Sequence, residues 1–162
     1  MATVYLGLGS NIDPVASLQA AVAELRSQFG EVTLSSVYRS KPLGFAGADF
    51  LNLVARIETG LSVVALYEVL QGLHQHSGRQ RGSTRFVSRR LDIDLLLYEQ
   101  LVVDLPALRL PRSDVLEYSF VLVPLAEIAA DYVHPVSGRS IAEHLHDFDQ
   151  RVHPLIKQKL NL

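Results

Sequence analysis

An α+β fold with an antiparallel sheet is predicted by three features of this 162-residue sequence. Two stretches carry apolar residues at helical spacing, and shorter stretches carry the β-branched and apolar residues typical of strands. Up to residue 98 these elements follow one another in the order strand, helix, strand, strand, helix, strand. That order favours an antiparallel sheet with both helices on one face, the ferredoxin-like arrangement, followed here by additional C-terminal elements.

The first helix is predicted to follow a short strand at residues 5–9. Asp13 is suited to cap this helix, and Pro14 is suited to its first position because the missing N–H is not needed there. Gly30 supplies the stop signal. The apolar residues at helical spacing between these signals are Val15, Leu18, Val22, Leu25 and Phe29.

The two middle strands are predicted at residues 33–38 and 50–59, joined by a loop that contains glycine and alanine. Ser62 is suited to cap the second helix, which we expect to end near Gly78. The buried stripe of that helix is predicted to consist of Leu66, Val69, Leu70 and Leu73.

The rest of the chain begins with a polar, basic segment at residues 79–90 that has no period and is predicted to be a loop. Strands are predicted at residues 91–98 and 120–123, and short helices at residues 125–130 and 140–148. The sequence contains no repeat or linker that would divide it. We therefore expect one domain over residues 1–162.

The composition argues against several classes of function. The chain has no cysteine, so neither a disulfide framework nor a Cys-based zinc site is available. It has no signal-peptide pattern at its start and no apolar run near the roughly 18 residues that a membrane span needs. A net charge of -2 and a pI near 6.3 argue against general nucleic-acid binding. We therefore expect a cytoplasmic protein with neither a membrane nor a nucleic-acid partner.

Two aspartates lie two residues apart in an otherwise apolar strand. On a strand, Asp92 and Asp94 project from the same face while Ile93 projects from the other. Carboxylates held side by side are the hard oxygen ligands that Mg²⁺ selects, usually together with waters and substrate phosphates. The alternative is a structural pair of aspartates salt-bridged to nearby arginines, and the spacing alone does not decide between the two.

The segment before this acidic pair is rich in arginine. Guanidinium groups bind phosphate oxygens in a bidentate manner and stabilise the charge that develops in phosphoryl transfer. Such a loop can also close over a triphosphate and exclude water. Alone it could be a solvated basic loop, but its position beside the two carboxylates favours a nucleotide-metal site. The arginines are Arg79, Arg81, Arg85, Arg89 and Arg90.

Other nucleotide and metal motifs are absent or weak. No Walker-type glycine loop followed by Lys-Ser or Lys-Thr occurs, and the Gly-Leu-Gly-Ser-Asn sequence at residues 7–11 is too short for a dinucleotide fingerprint. Two pairs of histidines stand two residues apart on predicted helices, so their side chains diverge around the axis. We expect these histidines, which are His74, His76, His144 and His146, to be exposed or partly buried rather than zinc ligands.

Six short motifs occur in a fixed order between residue 5 and about residue 130. They are Gly7-Leu8-Gly9-Ser10-Asn11, Tyr38-Arg39-Ser40-Lys41-Pro42-Leu43-Gly44, Asp49-Phe50-Leu51-Asn52, Gly78-Arg79-Gln80-Arg81, Arg89-Arg90-Leu91-Asp92-Ile93-Asp94-Leu95-Leu96-Leu97-Tyr98 and Phe120-Val121-Leu122-Val123-Pro124-Leu125-Ala126-Glu127-Ile128-Ala129. Each motif is weak alone. As an ordered set they resemble the 6-hydroxymethyl-7,8-dihydropterin pyrophosphokinases, enzymes of folate biosynthesis.

The resemblance implies a ferredoxin-like core, ATP as co-substrate, two Mg²⁺ ions and transfer of pyrophosphate to the pterin hydroxymethyl oxygen by a monomer. The catalytic residues that it implies are Arg79, Arg89, Asp92 and Asp94, the two aspartates also being the metal ligands. The implied ATP-binding residues are Arg79, Arg81, Arg89, Leu95 and Arg112. The implied pterin-binding residues are Ser40, Pro42, Leu43, Phe50, Asn52, Phe86 and Phe120.

The sequence departs from the family pattern at several of these places. His74 stands where glutamate is usual, Arg112 where histidine is usual and Tyr118 where arginine is common. The family's Arg-Trp-Gly-Pro-Arg is here Arg85-Phe86-Val87-Ser88-Arg89. Phe86 can still stack but lacks the indole donor, and the loss of Gly-Pro changes how the arginine loop bends.

These departures leave four hypotheses. The first is an active pterin pyrophosphokinase, and the second is a divergent paralogue that acts on a related pterin. The third is a pterin- or nucleotide-binding module without transfer activity, although residues aimed at two metals are hard to explain in a pure binder. The fourth is an RNA-binding ferredoxin-like domain, which the acidic charge and the lack of an exposed Gly-Phe strand signature disfavour.

Overall fold

The computed structural model describes residues 1–76 and 91–162, without the side chains of residues 75 and 76. The N-terminal part consists of β1 (Ala2–Ser10), α1 (Pro14–Phe29), β2 (Thr33–Leu34), β3 (Val37–Ser40), β4 (Phe50–Thr59) and α2 (Val63–His76). The remainder consists of β5 (Asp92–Tyr98), β6 (Val103–Leu105), β7 (Leu108–Leu110), α3 (Asp114–Glu117), α4 (Ser119–Ala129), α5 (Ile141–Asp147) and β8 (Ile156–Gln158).

The main sheet has the strand order β5-β1-β4-β3-β8, and the short β2 also pairs with β4. Each of these pairings is antiparallel. All six elements of a ferredoxin-like core are thus present as β1, α1, β3, β4, α2 and β5, with β1 at the centre between β4 and β5. The predicted fold class is confirmed, and β6 with β7 adds a small separate hairpin that the sequence did not predict.

Helices cover both faces of the sheet. α1 and α2 pack on one face, where their leucines join residues of β1, β4 and β5 in the larger core cluster. α4 and α5 pack on the other face with Tyr5, Val54 and Leu96 in a second cluster. The two core helices therefore share one face as predicted, and the C-terminal elements supply the opposite layer. A cleft lies at the edge of that second layer, beside the start of α4.

The predicted helix caps are only partly confirmed. Ser62 Oγ accepts a hydrogen bond from the Ala65 amide at 3.2 Å, so Ser62 caps α2. Asp13 does precede α1, but its φ is 44° and its side chain makes no capping hydrogen bond. Gly30, with a φ of 80°, ends α1 and donates its N–H to the Arg26 carbonyl at 3.0 Å.

One strand prediction is wrong. Residues 120–123 belong to α4, whose interior contains Pro124. A short apolar run cannot be assigned to strand or helix by periodicity alone, and a proline after it suggested a strand end. The run is apolar because much of α4 is buried between the sheet and α5. The helix predicted at residues 125–130 is the second half of the same α4.

The strand predicted at residues 33–38 is interrupted by two serines. The Ser35 amide still donates to the Val54 carbonyl at 2.9 Å, but the Val54 amide donates to Ser35 Oγ at 2.8 Å, and Ser35 Oγ donates to the Ser36 carbonyl at 2.8 Å, so a side chain supplies one acceptor of the pairing there. The predicted loop at residues 79–90 lies outside the described residues. Among the helices that are described, none is both long and apolar enough to cross a membrane.

Candidate active site

A cleft of about 310 Å³ opens at one end of the main sheet, on the face that carries α4. Its floor is formed by the ends of β1, β4 and β5, and its sides by the loop after β3 and the start of α4. The polar and charged lining residues are Ser40, Lys41, Asn52, Asp92, Asp94, Arg112, Asp114 and Tyr118. The cleft thus combines three carboxylates, a guanidinium, an amide and aromatic rings in one volume.

The strand register places an amide residue on one side of Gly9 and an aspartate on the other. Gly9 pairs with Asn52 on β4 and with Asp92 on β5. A Cβ added to Gly9 would lie 2.8 Å from Asn52 Oδ1, closer than real Cβ contacts come. Glycine at this position therefore allows the Asn52 amide to lie across β1.

Asp92 and Asp94 project from one face of β5, and about a quarter of each side chain is exposed, 27% and 26%. Ile93 between them is buried in the opposite core cluster. The predicted alternation is thus confirmed, and both carboxylates border the cleft. Among the described residues no group of three or more His, Cys, Asp or Glu side chains could hold a metal ion. Any ion on this pair would therefore need further ligands from substrate, water or the rest of the chain.

His74 is buried, which contradicts the expectation of an exposed or partly buried ring. Its Nε2 accepts the backbone N–H of Ile93 at 2.7 Å and lies 3.7 Å from Asp92 Oδ1. Because Nε2 uses its lone pair for the Ile93 amide, it carries no proton in this arrangement, and the contact with Asp92 is not a salt bridge. His74 therefore fixes the backbone between the two aspartates.

Arg112 joins two carboxylates at the side of the cleft. Its Nη2 lies 3.6 Å from Asp94 Oδ1, and its Nε lies 3.3 Å from Asp114 Oδ2. Burial lowers the pKa of the Arg112 guanidinium, but the charges of Asp94, Asp114 and Asp92 outweigh burial and raise it. Arg112 is consequently a fixed positive charge next to the acidic pair.

Aromatic rings line the part of the cleft away from the aspartates. Phe120 and Tyr118 stack at a centroid distance of 5.1 Å with an interplanar angle of 9°. On the other side, Phe45 and Phe50 meet edge to face at 6.3 Å. Asn52 Nδ2 donates to Ser40 Oγ at 2.9 Å, which orients the amide beside these rings. A flat heterocycle with a polar edge fits such a pocket.

A second cavity of about 200 Å³ adjoins the first and shares Asp94 and Arg112 with it. Its other lining residues include Tyr67, Gln71, His74, Leu95 and Arg109. The Arg112 guanidinium and the Asp94 carboxylate therefore border two neighbouring cavities.

Residues 5–130 match the protein-family model described as 7,8-dihydro-6-hydroxymethylpterin-pyrophosphokinase. The chain belongs to this family. It is 42% identical to the 2-amino-4-hydroxy-6-hydroxymethyldihydropteridine pyrophosphokinase of Haemophilus influenzae, over 97% of this chain and 98% of that protein. The enzyme of the same name from Methylorubrum extorquens is also 42% identical, over 92% of this chain and 95% of its own length.

Solved structures of pterin pyrophosphokinase chains share the fold. A crystal structure described as HPPK-DHPS in complex with substrates superposes with a TM-score of 0.72 over 90% of this chain, at 11% identity. The Plasmodium falciparum HPPK-DHPS wild type with SDX-DHP gives a TM-score of 0.71 over 94% of this chain, at 13% identity. The chain spans 43% and 44% of these longer chains. The sequence predictions of family, fold and enzyme class are confirmed.

The structure brings most of the predicted site residues together. The main cleft is lined by Ser40, Leu43, Phe50, Asn52, Asp92, Asp94, Arg112 and Phe120. Leu95 lines the second cavity instead, and Pro42 lines neither, although its neighbours Lys41 and Leu43 do. The predictions for Arg79, Arg81, Phe86, Val87, Ser88 and Arg89 fall outside the described residues.

The cleft residues that were not predicted as site residues include Asp114, Phe45 and Lys41. Asp114 is buried and holds Arg112, and the spacing of the two in the sequence could have suggested that pairing. Phe45 and Lys41 lie on the loop after β3, where neither has a periodic pattern that would mark it. Their role in the lining depends on the path of that loop, which the sequence alone did not determine.

Proposed function

We propose that this chain transfers pyrophosphate from ATP to 6-hydroxymethyl-7,8-dihydropterin, giving AMP and the pterin diphosphate in folate biosynthesis. One observation carries the proposal beyond family membership: the carboxylate pair and the aromatic and amide pocket border the same cleft. A hydroxymethyl group on a pterin bound between the rings would therefore lie on the side of the cleft that holds the charged groups.

In this reaction a bond forms between the hydroxymethyl oxygen and the β-phosphorus of ATP, and the bond from that phosphorus to the α-bridging oxygen breaks. The hydroxyl gives up its proton and AMP is the leaving group. No covalent intermediate with the enzyme is needed, because positioning and charge stabilisation account for most catalysis of phosphoryl transfer. The residues of the cleft act by holding the two substrates in line.

The acidic pair fits magnesium. Asp92 and Asp94 present hard oxygen donors on one face of β5, each partly exposed, and we propose that they hold two Mg²⁺ ions together with ATP phosphates. Bound Mg²⁺ would neutralise phosphate charge as the pyrophosphoryl group moves. The His74 contact with the Ile93 amide keeps the two carboxylates at a fixed spacing.

We propose that the pterin binds in the main cleft and that ATP binds toward the second cavity. We propose that Leu95 and Arg112 contact ATP, since both line the second cavity next to Asp94. Ser40, Pro42, Leu43, Phe50, Asn52 and Phe120 are the proposed pterin contacts in the described part of the chain. Arg79, Arg81 and Arg89 are proposed to bind phosphates, and Phe86 to contact the pterin, on the basis of the family motif alone.

We further propose a single-domain monomer that acts in the cytoplasm without nucleic acid. The single domain rests on the absence of linker signals, the cytoplasmic location and the lack of a nucleic-acid partner rest on the composition, and the monomer rests on the family resemblance. A single mass near 17.9 kDa by light scattering is the expected result for the monomer.

The proposed activity is tested with purified protein, ATP, Mg²⁺ and the hydroxymethyl pterin, by measuring AMP and the pterin diphosphate. Asp92→Asn and Asp94→Asn should each fold like the wild-type protein but form no product. Asp104→Asn, on the separate β6-β7 hairpin, is the matched control and should retain full activity. Binding of both substrates without AMP formation would instead identify a non-catalytic module.

A further inference from the structure

We propose that His153 is a positioning residue for the pterin pocket, acting through Phe120 on one side and the loop after β3 on the other. This inference rests on the proposed function. His153 lies in the C-terminal segment before β8, outside residues 5–130 that match the family model. It does not line the cleft itself. Its contacts nevertheless reach both walls between which the pterin is proposed to bind.

The first contact holds the loop. His153 Nε2 lies 2.9 Å from the backbone carbonyl of Lys41. A carbonyl oxygen only accepts, so Nε2 must carry the ring proton and donate it. Lys41 lies between Ser40, which accepts the Asn52 amide, and Leu43, which lines the cleft. The hydrogen bond therefore fixes the backbone where one pterin wall begins.

The second contact holds the ring on the opposite wall. The His153 imidazole meets the Phe120 ring edge to face, with centroids 5.6 Å apart and an interplanar angle of 85°. The His153 carbonyl also accepts a hydrogen bond from Ser119 Oγ at 2.7 Å, and Ser119 is buried. One residue is thus bound to the start of α4 through both its backbone and its side chain.

The orientation of the imidazole is determined by these contacts. Nδ1 is buried and has no hydrogen-bond partner among the described residues. The imidazole is therefore held by the hydrogen bond from Nε2, and the edge contact with Phe120 fixes the tilt of the imidazole ring. A flat ligand binds well only when the two walls of the pocket stand at a set separation. Walls that are already in place before binding reduce the entropy lost when the ligand binds. A residue bonded to both walls sets that separation.

The test uses His153→Ala, His153→Gln and His153→Phe with the proposed substrates. Loss of one hydrogen bond and one ring contact should raise KM and Kd for the pterin by about tenfold in His153→Ala. The KM for ATP and kcat at saturating pterin should stay at wild-type values. Glutamine retains a donor for the Lys41 carbonyl and phenylalanine retains the edge contact, so each should recover part of the lost affinity.

A purely structural role would lower thermal stability and affect both substrates alike. His146→Ala, an exposed histidine on α5, is the matched control and should change neither KM. Wild-type KM for the pterin in His153→Ala, or equal losses for ATP and the pterin, would overturn the inference. A wild-type protein that neither binds the pterin nor forms AMP would instead contradict the proposed function, so the two failures are distinguishable.

Discussion

Gly9 on β1 pairs with Asn52 on β4, and the Asn52 amide oxygen occupies the space that a Cβ at residue 9 would need. The distance to an added Cβ is 2.8 Å, which requires Asn52 to move. Gly9→Ala should therefore displace the amide from Ser40 and weaken pterin binding by roughly tenfold, the effect of about one lost hydrogen bond. Titration of the pterin into the variant measures this.

Gly72→Ala supplies the control for that experiment. A Cβ at Gly72, on α2, meets nothing within 4 Å, and alanine is favoured over glycine in a helix by up to about 1 kcal/mol. This variant should bind the pterin like the wild type and be at least as stable. Unchanged pterin affinity in Gly9→Ala would show that Asn52 is not a pterin contact.

The hydrogen bond between His74 and the Ile93 amide predicts a stability effect. In His74→Ala the Ile93 N–H loses its acceptor inside the protein, and a buried unsatisfied donor costs about 1–3 kcal/mol. The free energy of unfolding in urea should fall by that amount. His76→Ala, two residues along α2, is the comparison variant. Equal free energies of unfolding for His74→Ala and the wild type would mean that water replaces the imidazole.

Arg112 predicts a nucleotide-specific effect. Its guanidinium is held by Asp94 and Asp114 at the border of the second cavity, so Arg112→Ala should raise the KM for ATP more than the KM for the pterin. Removing one partner of a desolvated charge pair costs on the order of tenfold or more in affinity. Arg112→His restores the residue usual in the family and should recover part of the loss. Arg26→Ala removes an exposed arginine of α1 that lines neither cavity, and it tests the effect of the lost charge alone.

The ferredoxin-like core and most of the predicted site residues that line the cleft could be predicted from the sequence. Asp92 and Asp94 were recognisable because two charges in an apolar strand are costly unless counter-charges or a metal ion compensate them. The order of strands and helices determined which strand ends meet. These are local patterns, and each is encoded by residues close together in the chain.

The features that were missed depend on contacts between distant residues. The burial of His74 follows from its hydrogen bond to Ile93, 19 residues later, which no helical pattern reveals. Residues 120–123, in the first half of α4, were predicted as a strand because burial against the sheet makes them apolar, whereas the helix predicted at residues 125–130 is the second half of α4. The contact of His153 with Lys41 spans 112 residues and depends on the path of the C-terminal segment. Such contacts follow from tertiary packing.

The last prediction concerns pH and stability. His134 is buried, and its Nδ1 accepts the backbone N–H groups of Val136 and Ser137. Burial, and next the nearby His144, lowers the pKa of His134 below its ordinary value of 6.5. Below pH 6.5 the unfolded chain therefore binds more protons at this residue than the folded chain does, so the unfolding free energy should fall as the pH drops.

His134→Gln has no titrating ring and should flatten this dependence when urea unfolding is measured between pH 5 and 7.5. His146→Gln removes an exposed histidine of α5 and should leave the slope as in the wild type. Identical slopes in His134→Gln and the wild type would place the titrating group elsewhere. A slope of opposite sign would mean that folding raises the pKa of His134, in conflict with the two amides that bind its Nδ1 lone pair, since protonation there would remove their acceptor.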